Sequence, residues 1–139
     1  MRRLIALCLF LFVAPAGPAA AAVKPNPLVS DGMVLQRSRK VPLWGTADTG
    51  EKVTVSFQGH ETETTAKDGA WTVWLSDLQT GGPFEMTIRG ANVVHLKDVY
   101  VGEVWLCAGQ MNMDWPLHLA ADADEAVRDA KDAQLRLFQ

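Results

Sequence analysis

Apolar and polar positions alternate along the chain in short runs that are cut by turn residues. Val41–Ala47 (VPLWGTA) is apolar and β-compatible, and ADTGE follows as a turn in which Gly50 is free to take a positive φ. Lys52–Phe57 then alternates strictly, which places Val53, Val55 and Phe57 on one face of a strand. QGH reverses the chain, and Glu61–Ala66, polar and rich in threonine, reads as a solvated strand. Lys67-Asp68-Gly69 turns again. Trp71, Val73 and Leu75 mark the next apolar face, LQTGGP a longer loop, and Phe84, Met86 and Ile88 one more alternation. From Leu28 to about Val101, turns recur roughly every 8–12 residues, the rhythm of an antiparallel sandwich or barrel.

After Gly102 the pattern changes. Glu103–Ala108 (EVWLCA) is a near-continuous apolar run, the mark of a strand covered on both faces, as in a parallel sheet. Ala120–Ala133 carries an acidic helical pattern with Asp and Glu near its start, where the helix dipole favours them. Gln134–Gln139, with Leu135, Leu137 and Phe138, reads as a second strand. This β–turn–α–β order opens an α/β sheet. One such unit cannot cover its own strands, so residues 102–139 are expected to be the start of an incomplete domain.

The first 22 residues stand outside both patterns. Arg2 and Arg3 precede an apolar run, Leu4–Val13, and APAGPAAAA supplies the small residues of a cleavage region ending at Ala20-Ala21-Ala22. The run is far short of the roughly 20 residues a spanning helix needs. We expect a signal peptide over 1–22, a sandwich over 23–101, and an exported product, periplasmic or secreted, with no membrane association after cleavage. Without Cys8, Cys107 is the lone thiol; it cannot staple the fold, and its apolar surroundings predict a buried, inert side chain.

The 139 residues carry a formal charge of −3; loss of Arg2 and Arg3 leaves 11 basic residues against 16 acidic, near −5. There is no basic stripe, which argues against nucleic acid as a partner. His60, His95 and His118 are scattered with no second ligand at metal spacing, so neither a metal nor another cofactor is expected. Trp44, Trp71 and Trp74 admit two readings, with Trp74 on the face opposite Trp71. They are a sugar-stacking platform, or core residues plus one that covers a neighbouring domain; aromatic residues are ordinary in strands, which favours the second.

The chemistry concentrates in LCAGQMNMDW, Leu106–Trp115. DGMVLQR (Asp31–Arg37), VPLWGTADTGEKVTVSF, DGAWTVWL, GGPFEMTI, VGEVWLCAGQMNM and LRLFQ, in that order, resemble the amino-terminal portion of sialate O-acetylesterases. The resemblance implies an exported enzyme that removes O-acetyl groups from sialic acids. It also implies a mainly-β fold, with a β-sandwich ahead of a flavodoxin-like α/β hydrolase domain of the SGNH type. In that family the turn after the first parallel strand reads GQSNM and its serine is the nucleophile. Here Met111 occupies that position, flanked by Gln110 and Asn112, which the resemblance marks as substrate-binding.

A thioether has no proton to lose, and the D-x-x-H stretch that the resemblance implies for the base is absent. Asp114-Trp115-Pro116-Leu117-His118 has one residue too many for it, and Pro116 interrupts any regular element. The expectation is an O-acetylated sialic acid or related glycan as the family's ligand, and no catalysis by this chain. The alternative is a non-catalytic exported sandwich that binds glycan or packs on a partner domain.

Overall fold

The computed structural model describes residues 22–138, apart from the side chain of Asn112. The expected signal peptide lies almost wholly outside the described residues. Among the described residues eight strands form: β1 Lys24–Pro25, β2 Val34–Gln36, β3 Val41–Thr46, β4 Lys52–Phe57, β5 His60–Thr65, β6 Ala70–Leu75, β7 Gly81–Arg89 and β8 Val93–Gly102. They make two sheets, a three-stranded one in the order β1-β3-β6 and a five-stranded one in the order β2-β8-β7-β4-β5. The class is mainly β, as the alternation predicts.

The inner faces hold the core. Val53, Val55, Phe57, Met86, Ile88, Val99 and Val101 come from the large sheet; Leu43, Trp71, Val73 and Leu75 come from the small one. Every second residue of β4 and β6 is buried, because successive side chains of a strand point to opposite faces. Complete burial of a side chain such as Ile88 contributes about 1.5–3 kcal/mol. Phe57 and Phe84 meet edge to face, 5.8 Å between centroids, and the Trp71 indole donates to the Thr46 carbonyl at 3.2 Å. Trp71 is thus core while Trp74 is exposed on the outer face, so the three tryptophans do not share one platform. β5, predicted as solvated, is an edge strand with no buried residue.

Two features depart from a plain antiparallel sandwich. β2 pairs parallel to β8, Val34 opposite Tyr100 and Gln36 opposite Gly102. And β8 is irregular against β7: Met86 faces Leu96 while Phe84 faces Val99, so three residue steps on β8 match two on β7. The extra residue makes a bulge around Lys97 and Asp98, with Asp98 at φ +57°. The Asp31–Gly32 turn holds the bulge in place. Asp31 accepts the Lys97 amide at 2.7 Å, and the Gly32 amide donates to the Lys97 carbonyl at 3.1 Å.

Beyond Gly102 no strand forms among the described residues. Glu103–Ala108, expected as a doubly covered strand, is exposed, with Leu106 at 92%. Cys107 is exposed as well, which corrects the expectation of a buried thiol. A strand exists only through hydrogen bonds to a neighbour, and residues 103–108 meet no strand to pair with. The helix is shorter than its pattern, α1 Ala123–Asp129, and Asp122 gives it no side-chain cap. Isolated helices below roughly 12–15 residues are marginal in water, and this one buries no residue to compensate. Residues 134–138 are likewise not in a strand.

Candidate functional site

The turn over residues 109–113, the elbow, follows the segment that leaves the end of β8. Gln36, the last residue of β2, accepts the Val104 amide at 2.8 Å through its side-chain oxygen, and its amide nitrogen donates to Glu103 at 2.9 Å. Arg37 Nε donates to the other Glu103 oxygen. The Gln36 amide, then the Arg37 guanidinium, hold the Glu103 carboxyl below the usual carboxylate range. These contacts set the direction in which the chain leaves the sandwich.

Residues 111–113 make one 3₁₀ turn: the Met113 amide donates to the Gln110 carbonyl at 2.9 Å and the Asp114 amide to the Met111 carbonyl at 3.1 Å. Gly109 lies against Met113, whose Cγ would be 3.1 Å from an added Cβ. Met111 is thereby displayed, 84% exposed, at the first position of the turn. Gln110 is also exposed. The backbone turns sharply at this point, and the side chain it displays is a thioether.

The histidines lie elsewhere. His60 and His95 belong to the large sheet, His95 Nδ1 lying 3.3 Å from Thr87 Oγ1. His118, in the 3₁₀ turn Leu117–Leu119, lines a shallow cup with Asp122, Asp124, Glu125 and Arg128. Among the described residues no hydrogen bond joins any histidine to residues 109–113. The shallow site around Ser56, Gln58, His60 and Glu85 sits at the β4–β5 turn and holds no residue of the elbow.

Sequence reasoning found the elbow and missed the groups that anchor its segment. Gln36 and Arg37 lie in DGMVLQR and Glu103 in VGEVWLC, but no local periodicity pairs residues so far apart. At the far end, Arg136 donates to Asp98 at 3.1 Å and its guanidinium lies 5.0 Å from the Tyr100 ring centroid. Nothing in LRLFQ distinguishes that arginine from a solvated one.

No protein-family model matches the chain. It is 34% identical to the sialate O-acetylesterase of Rattus norvegicus over 124 residues, 79% of this chain and 23% of the relative. It is 37% identical to that of Homo sapiens over 98 residues, 61% of this chain and 19% of the relative. A crystal structure of a carbohydrate acetylesterase from Xanthomonas citri matches at 39% identity with a TM-score of 0.71, over 80% of this chain and 26% of that one. The chain spans about a quarter or less of the length of these proteins. Identity at this level over most of the chain, with a matching fold, makes it a homologue of the sialate O-acetylesterases.

Proposed function

We propose that the chain supplies the sandwich and the elbow of an exported carbohydrate O-acetylesterase whose substrates are O-acetylated sialic acids, and that by itself it hydrolyses no ester. The observation that carries the reading is the pairing of this homology with an elbow whose displayed residue is Met111. Acyl transfer needs an oxygen nucleophile that passes its proton to a base within hydrogen-bond reach. Attack by the Met111 sulfur would give a sulfonium with no proton to surrender, and among the described residues no histidine is hydrogen-bonded to the elbow to receive one. Loss of nucleophile and base together costs about 10⁶ in turnover in a serine hydrolase.

Two measurements test this. The purified chain, and its Met111→Ser variant, should hydrolyse an aryl acetate and an O-acetylated sialoside no faster than buffer. A chimera in which this chain replaces the matching part of the Xanthomonas citri acetylesterase should release acetate only when it carries Met111→Ser. Turnover by the unmodified chain would refute the inactivity; a dead Met111→Ser chimera that is folded would refute the assignment of the elbow. Export is tested by fusing residues 1–22 to a reporter that is active only outside the cytoplasm.

A further inference from the structure

We infer that the bulged stretch of β8 is a docking station for the elbow-bearing segment, and that Arg136 is the latch that closes it. Four observations converge. The bulge gives β8 one extra residue, and bulges re-aim side chains that a regular strand would point elsewhere. The residue so aimed is Asp98, whose carboxylate meets Arg136 at 3.1 Å. Two residues on, Tyr100 offers its ring face to the same guanidinium at 5.0 Å. Finally, burial is inverted: Leu135, Leu137 and Phe138 are 62%, 82% and 73% exposed, while the cation between them is half-buried. An unattached arginine would be solvated more fully than its apolar neighbours.

The segment is therefore held at two points. Glu103, gripped by Gln36 and Arg37, fixes its start, and Arg136 returns its end to β8 of the same sheet. Both holds are electrostatic and partly exposed, so docking is reversible and weakens with salt. Arginine is required rather than any cation, because one planar group must bond a carboxylate and lie over a ring together. This inference rests on the geometry alone and stands whether or not the esterase reading does.

The test uses the full chain. The Arg136 Nε–H resonance should be shifted upfield by the Tyr100 ring, and trypsin cleavage after Lys131 should report release of the segment. Loss of an exposed ion pair and a cation–π contact together predicts about five- to tenfold faster cleavage in Arg136→Ala. Arg136→Lys should cleave nearly as fast. Asp98→Asn keeps the positive φ, which asparagine tolerates, but removes the charge, and should give an increase of about twofold. Tyr100→Phe should retain the upfield shift and Tyr100→Leu should abolish it, while circular dichroism of the sandwich stays unchanged in both. An unshifted resonance, or equal cleavage rates in the parent, Arg136→Ala and Tyr100→Leu, would overturn the latch.

Discussion

Gly45→Ala tests how the small sheet is closed. Gly45 lies opposite Pro25 in the β1–β3 register. A methyl group there would overlap the Lys24 carbonyl oxygen and come within 2.8 Å of the Pro25 Cα. Both obstacles are backbone, so neither can swing aside as a side chain would. β1 must leave β3, and three things leave with it. Val23 loses its place in the core, where it is 2% exposed. The Asn26 amide gives up its 2.9 Å bond to the Trp44 carbonyl, and Val23 O gives up Asn92 Nδ2 at 3.3 Å. Re-exposing a valine and breaking one or two ordinary hydrogen bonds should together cost about 2–4 kcal/mol.

Urea unfolding should show this as a midpoint lowered by about 1–2 M with little change in slope. The decisive arm is non-additivity. Val23→Ala should destabilise the parent but do almost nothing in Gly45→Ala, because Val23 has already been displaced. Additive costs, or a Gly45→Ala loss below about 1 kcal/mol, would refute the account of how β1 is held.

Two further outcomes follow from the elbow and its anchor. Cys107, exposed in the structure, should titrate fully with a thiol reagent in the absence of denaturant; protection until global unfolding would contradict its placement. Because the Glu103 carboxyl is held below its ordinary range by Gln36 and then Arg37, its joint should be present at neutral pH and lost as pH falls through the depressed value. Protection of the Val104 amide, bonded to Gln36, should fall over that acid range in the parent once its intrinsic exchange rate is divided out, and Glu103→Gln should flatten the dependence.

The elbow shows how far reading the chain could go. GQMNM identifies a turn, a property of five consecutive residues, and the resemblance to GQSNM marks Met111 as standing where that family carries its serine. EVWLCA, by contrast, is as apolar as a buried strand but lies exposed with Cys107 in it, because hydrophobicity describes a strand's preferred cover and does not supply that cover. Val53, Val55 and Phe57 were legible as one face because period-two alternation is local. Arg136 was not, because its partners lie on a strand whose bulge no local pattern announces.

What the amino-acid order determined by itself is the strands β3 to β7 and the apolar faces of β4, β6 and β7; it did not mark β1, β2 or β8. Tertiary structure decided their partners: β5 and β6 are joined by one short turn yet fall in different sheets, and β2 lies parallel to a strand some sixty residues downstream. It also decided that apolar residues beyond Gly102 stay exposed while an arginine among them is sheltered. The physical reason is that alternation is set by the geometry of a single strand, whereas pairing and cover depend on which distant surface is free to receive it.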